Sequence, residues 1–235
     1  MLPLNIIKST AAGWGLPLSD DILTRFDSYA QMLIEWNQKL NMTRITEPGE
    51  MAVKHFLDSL TVLSAIKPEH GATIADVGTG AGFPGAVLLI ARPDLKMTLI
   101  DSSKKRLTAI EDMLGRLGLK AEIVHGRAEE FGRDRAYRER FDIVAARAVA
   151  NMYVLSELCL PLCRTGGVFA AMKGPSFESE LEAAKSHIAA LGGGEAEIRA
   201  FKLPGTVGRH IIMIKKISQT ATIYPRVFAK INKPE

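Results

Sequence analysis

The chain of 235 residues carries 30 basic and 26 acidic side chains, a formal charge of +4, with 47% apolar and 24% charged residues. Those proportions exclude a disordered or collagen-like chain, and the length suits one principal core with at most a small appendage. Two cysteines, Cys159 and Cys163, exclude a disulfide framework and, lacking further ligands nearby, a zinc or iron–sulfur centre.

No uninterrupted apolar run approaches the roughly 18 to 20 residues of a membrane span, so no membrane contact is expected. The opening MLPLNIIKSTAAGWG lacks the basic start and long apolar centre of a signal peptide, so the expected compartment is the cytoplasm. Residues 19–40 read as a helix, with Ser19 as N-cap, acids in the first turn, apolar residues at helical spacing and Asn41 as the stop. A second helix is expected over 48–65. Residues 1–70 thus form a helical extension.

From residue 73 short apolar runs alternate with amphipathic stretches, the pattern of βαβ units on a parallel sheet. Strands are expected at 73–77, 96–101, 121–125, 141–145 and 167–172, with helices at 84–91, 103–117, 149–163 and 176–191. The helix at 149–163 would hold both cysteines. After the glycine break at 192–194, two further strands within 195–217 form an antiparallel hairpin. The α/β domain therefore spans 71–217, and 218–235 reads as an irregular basic tail on the same domain. Between Lys202 and Glu235 seven bases (Lys202, Arg209, Lys215, Lys216, Arg226, Lys230 and Lys233) face one acid, a candidate phosphate-contacting patch or simply a solvated end.

The first strand runs into ADVGTGAGFPG, residues 75–85, which contains a literal G-x-G-x-x-G at Gly80, Gly82 and Gly85. Neither register matches a dinucleotide fingerprint: counted from Gly78 the third position is Phe83, and counted from Gly80 the loop starts two residues late. Pro84 also removes a backbone donor where pyrophosphate needs one. Asp76 at the strand end suits instead the ammonium of an amino-acid moiety, and glycines such as Gly80 let the backbone approach a bulky ligand. Asp101, ending the second strand, suits a ribose diol, although capping the next helix is an equal use for it. Glu129, beyond the third strand, is placed for an adenine amino group or for a surface helix start. Arg147 follows the fourth strand at the sheet's carboxyl edge, where ligands bind in open α/β sheets.

Together these features resemble the S-adenosylmethionine-dependent methyltransferase (Rossmann-like) fold, an α/β, mostly parallel sheet ending in an antiparallel hairpin. More closely, the chain resembles the RsmG/GidB family (glucose-inhibited division protein B), guanine-N7 methyltransferases of 16S ribosomal RNA. The stretches that carry this are WNQKLNMTRIT (36–46), HFLDSL (55–60), DVGTGAGFPG (76–85), GRAEE (126–130), ARAVANM (146–152), GG with MKG (166–174) and YPR (224–226). The resemblance implies S-adenosyl-L-methionine as cofactor, 16S rRNA or the small ribosomal subunit as partner, and a monomer. It implies that Gly78, Phe83, Ala128, Glu129 and Arg147 line the methyl-donor site. The chain departs from the family in GAVLL after the loop and in VFAKINKPE after YPR, where a glycine-containing basic stretch is usual.

The chemistry agrees with this resemblance. No Pro-Cys nucleophile for cytosine C5 and no Asp/Asn-Pro-Pro-aromatic loop for adenine amino methylation is present. Guanine N7 carries no proton, so its methylation needs alignment rather than a general base, and no acid–base residue is assigned. His55 and Asp58 read as structural or RNA-facing rather than as a dyad, and Lys173, His55 and Arg226 are the expected RNA contacts. A NAD-binding oxidoreductase and a noncatalytic ribosome assembly factor are the alternatives.

Overall fold

The computed structural model describes residues 1–206 and 208–231. Ser19 Oγ accepts from the Ile22 amide at 3.3 Å and Asp20 and Asp21 occupy the first turn of α2 (Asp20–Leu40). Asn41 ends that helix in the left-handed region (φ 46°), the stop its residue type signals. An additional helix, α1 (Leu4–Gly13), precedes it. Leu4, Ile7 and Ala11 recur at helical spacing, and the helix is held by burial of Ile7 and Ala11.

The single helix expected over 48–65 is instead α3 (Pro48–Met51), a π-helical turn (Ala52–Leu57) and α4 (Asp58–Ile66). The widened turn takes His55, Phe56, Leu57 and Asp58 all out of solvent. Its Lys54 carbonyl accepts 2.8 Å from the Arg147 guanidinium, an outside donor in the helical ladder of the kind that accompanies such distortions.

Strands β1 (Thr73–Val77), β2 (Lys96–Asp101), β3 (Glu122–His125), β4 (Phe141–Arg147), β5 (Cys163–Lys173), β6 (Gly193–Phe201) and β7 (Arg209–Lys216) form one sheet in the order β3-β2-β1-β4-β5-β7-β6. The first five are parallel, and β7 runs antiparallel to β5 and β6, the expected hairpin. The crossovers are α5 (Gly85–Ala91), α6 (Lys104–Arg116), the short α7 (Ala128–Phe131), α8 (Met152–Cys159) and α9 (Glu178–Ala190). One apolar layer joins the N-terminal helices, α5 and α6 to one sheet face; a second joins α8 and α9 to the other. The chain has the S-adenosylmethionine-dependent methyltransferase fold.

The helix expected through 163 stops at Cys159, and Cys163 opens β5 rather than closing a helix. Pro161 explains the break, since it has no amide hydrogen to continue the ladder, although Leu160 before it still holds helical angles (φ −60°, ψ −35°). Both thiols are buried and burial raises both, that of Cys163 to about 12, which fits inert packing. The triple glycine is not wholly a break: Gly193 pairs with Lys216 and starts β6 through an irregular register before Ala196. The tail, expected to be irregular, ends its described part in α10 (Phe228–Ile231).

Candidate active site

At the carboxyl edge of the sheet two hollows meet at Gly78. One, about 600 Å³, is lined by His55, the glycine loop, Phe83, Arg106, Arg147, Lys173 and Arg209. The other, about 190 Å³, lies between Asp101, Ala128, Glu129, Val149 and Phe228. A hollow of about 660 Å³ lies at the opposite edge, around Thr73, Lys96, Tyr137 and Arg140. Strand direction decides between them, because the loops that vary and bind ligands follow the carboxyl ends.

The glycine loop is folded by its own donors. The amides of Gly78 and Thr79 donate to the Ile100 carbonyl, those of Gly82 and Phe83 to the Thr79 carbonyl, and that of Gly80 to Asp101 Oδ2 at 2.9 Å. Gly85, the first residue of α5, donates to Asp76 Oδ2 at 2.8 Å. A pyrophosphate would find these donors already used, so the objection raised by Pro84 extends to nearly the whole loop. Gly78 sits at φ +72°, where an added Cβ would lie 2.7 Å from Val149 Cγ2; the loop needs glycine at this position both for its backbone and for space. From the far side, Tyr29 donates its hydroxyl to the Ala81 carbonyl at 3.0 Å, so α2 props the loop.

Asp76 is fully buried. Burial lifts its carboxyl from 3.8 to about 6, against the opposing hydrogen bond from the Gly85 amide. Asp76 Oδ1 and Thr79 Oγ1 are buried without a hydrogen-bond partner among the described residues. A cationic, hydrogen-bonding group beside them, such as an ammonium, would satisfy both the charge and the orphaned acceptor. In the smaller hollow, Asp101 accepts from Gly80 and, at 2.8 Å, from the Ser103 amide. Ser103, not Asp101, occupies the N-cap of α6, without a side-chain cap bond, and Asp101 keeps lone pairs for a further donor. Glu129 is buried, with Arg127 Nε 2.5 Å from Oε1. These carboxylates, rather than phosphate donors, are what the nucleotide-like pocket offers.

In the larger cleft Arg147 is the hub. Its guanidinium reaches Asp58 Oδ2 at 3.0 Å and His55 Nδ1 at 3.4 Å, and lies 5.2 Å from the Phe83 ring centroid. Asp58, with no exposed surface, also takes Arg209 at 2.5 and 3.0 Å. One carboxylate from the helical extension thus joins β4 and β7. His55 stacks on Phe83 at 4.3 Å, and burial together with Arg147 pushes its imidazole down to about 3, so it stays neutral near pH 7. His55 and Asp58 meet through Arg147 rather than each other, which accords with a structural role and not a dyad.

Lys173 lines the cleft while its ammonium bonds the Ala150 carbonyl at 2.8 Å and Glu180 at 2.7 Å. Arg226 turns inward, donating to buried Glu157 at 2.7 Å and to the Tyr153 hydroxyl at 3.1 Å. Among the described residues the bases from 202 onward do not form one continuous patch. Lys216 is buried against the Leu160 carbonyl and Thr220, and Arg209 is paired with Asp58. Lys233 lies outside the described residues. The patch fails because charge counting along a chain does not register that a buried carboxylate or carbonyl elsewhere takes the cation.

Burial opposes ionisation of Glu157, but His187 and Arg226 outweigh it and hold the carboxyl down from 4.5 to about 2. Arg226→Ala is therefore expected to cost about 2 kcal/mol at pH 7 by urea denaturation. A group with a depressed folded value stabilises above its unfolded value, so the difference from the parent should shrink as pH falls from 4.5 toward 2.

Sequence reading did not single out Thr79, Tyr29, Arg209 or Phe228 for the site. Only Arg209 carried a signal, as one base in a supposed patch; the others are identified by which elements fold against the loop.

Comparison with known proteins accords with this geometry. The sequence profile of the GidB family, described as rRNA small subunit methyltransferase G, matches residues 22–212. Among curated relatives, the ribosomal RNA small subunit methyltransferase G of Lactobacillus helveticus (strain DPC 4571) is 48% identical over 213 residues, 89% of each chain. That of Acetivibrio thermocellus is 47% identical over 225 residues, covering 95% of this chain and 92% of the relative. Among solved structures, a SAM-dependent O-methyltransferase from Thermotoga maritima superposes with a TM-score of 0.56 at 17% identity, covering 80% of this chain and 73% of that one. A methyltransferase from Pyrococcus furiosus gives 0.55 at 18% identity, covering 81% and 100%. At that identity the structures speak to the fold, while the profile and the curated relatives speak to descent: the chain belongs to the GidB family of rRNA small subunit methyltransferase G proteins.

Proposed function

We propose that the protein transfers the methyl group of S-adenosyl-L-methionine to N7 of a specific guanosine in 16S rRNA, acting as a cytoplasmic monomer on the RNA or the small subunit. The family supports the substrate. The observation from the fold that carries the cofactor assignment is a glycine loop with its phosphate-type donors spent, and with Asp76 Oδ1 buried and unpartnered beside it. Among the described residues no helix is long and apolar enough to cross a membrane.

The bound donor supplies an electrophilic sulfonium methyl. Asp76 balances the ammonium of the amino-acid end, Asp101 accepts from the ribose diol, and Glu129 with Ala128 borders the adenine. Phe83 and neutral His55 stack on each other in the wall of the larger cleft, where the target purine would enter. Arg147, held by Asp58, aligns that stack, and Arg106 and Lys173 lie where phosphates of the flipped nucleotide would pass. No residue takes a proton, because N7 has none to give; the rate comes from alignment and exclusion of water.

The test supplies labelled methyl donor with small subunits, and with 16S rRNA, that lack the modification, followed by digestion and mass spectrometry. Label on one guanosine at N7 is expected. Label on another base or atom, or none with either substrate while the protein binds the donor, would overturn the assignment.

A further inference from the structure

β7 ends at the amino edge of the parallel strands, and from there the chain runs back toward the carboxyl edge under several ties. Arg138 donates to the carbonyls of Thr220 and Tyr224 at 2.6 and 2.8 Å, Arg133 donates to the Pro225 carbonyl at 2.6 Å, and Arg226 is clamped to Glu157. The described part of the segment reaches Ile231, which is fully buried in the second apolar layer. Between these anchors Phe228 is only half-buried. It lines the same hollow as Asp101, Ala128 and Glu129. The Arg127 guanidinium lies 4.7 Å from the Phe228 ring centroid and also pairs with Glu129, so ring and carboxylate are held as one wall.

We propose that the tail is a strap whose Phe228 binds adenosine, closing the nucleoside pocket of the methyl donor with an aromatic face. This rests on the reading that the hollow of Asp101 and Glu129 takes that nucleoside. The physical case is that the pocket supplies carboxylates for the diol and the amino group, that its other apolar lining (Val77, Ile100, Ala128, Val149 and Leu158) is aliphatic, and that Phe228 adds an aromatic face for the purine. A half-buried phenyl ring fastened on both sides loses little freedom on binding, and every purine presents a π-face to it. Phe228 stands in VFAKINKPE, the stretch where the chain departs from the basic sequence the family resemblance implies. The departure thus serves the cofactor rather than the RNA.

Calorimetry of the full chain with S-adenosylhomocysteine and with free adenosine tests this. Phe228→Ala should weaken both ligands by about 10-fold, Phe228→Leu should weaken both although it preserves bulk, and Phe228→Trp should bind as the parent does. Thermal unfolding without ligand checks that each variant is folded; where the alanine variant is not, the leucine variant carries the comparison. Parent-like binding by the folded alanine or leucine variant overturns the strap alone. Failure of the parent protein to bind S-adenosylhomocysteine overturns the strap together with the cofactor reading beneath it.

Discussion

Asp58→Ala should lower the unfolding temperature by roughly 6 to 12 °C and abolish methyl transfer, the largest combined effect expected of any single substitution in the cleft. Asp58 has no exposed surface and holds Arg147 and Arg209 at once. Removing one member of a buried ion pair costs about 3 to 5 kcal/mol, and the lower figure applies because both arginines keep some contact with water. For a domain of this size about 3 kcal/mol corresponds to that temperature shift. Activity falls further than stability, since Arg147 loses the contact that sets it against His55 and Phe83. Differential scanning calorimetry and a single-turnover methylation assay at a temperature where the variant is folded separate the two losses. A double variant that also lacks Arg209 should cost less than the sum of the singles, because the second cation no longer has a buried partner to lose. Additive costs would show that the three groups do not act as a unit.

Asp76→Asn should divide stability from binding. With a folded value near 6 against an ordinary 3.8, the native protein binds more protons than the unfolded chain between those values. Stability contributed by this group is therefore present below 3.8 and lost as pH rises through about 6, a cost of about 3 kcal/mol at neutral pH. Asparagine keeps an acceptor for the Gly85 amide and offers Thr79 a donor, so the variant is expected to unfold at equal or higher denaturant than the parent at pH 8. Affinity for S-adenosylmethionine should nevertheless drop by about 10 to 100-fold, the worth of one charged hydrogen bond. The parent's affinity should fall about 10-fold between pH 7 and pH 5 as Asp76 takes a proton, and that dependence should vanish in the variant. His55 does not blur the profile, being neutral throughout that window. Titration calorimetry across the range reads all three outcomes; a pH-independent parent would remove Asp76 from the donor site.

Much of the scaffold is legible residue by residue. β1 and β2 have the ends their apolar runs announce, Ser19 and Asn41 bound α2 as their capping chemistry requires, and the antiparallel hairpin follows from a connection too short for a crossover. The boundaries that were misjudged are those set by partners elsewhere. Pro161 cuts α8 short, Gly193 enters the sheet because Lys216 is there to pair with it, and the helix at 48–65 widens where Arg147 reaches Lys54. In the site, the acids at strand ends are visible because a parallel sheet delivers every such position to one edge. Asp58 is visible only as a neighbour of His55.

The sequence by itself determined the βαβ framework, the register of the glycine loop and the family, because periodicity, glycine placement and motif order are local properties of the chain. Only the tertiary structure decided which charges are free. Arg209, Lys216 and Arg226 read as one basic run but are neutralised by Asp58, Glu139 and Glu157, and Phe228 reads as tail but stands in the wall of a pocket. A side chain's charge is written in its code, whereas its partner and its exposure depend on elements distant in sequence that the fold brings within a few ångströms.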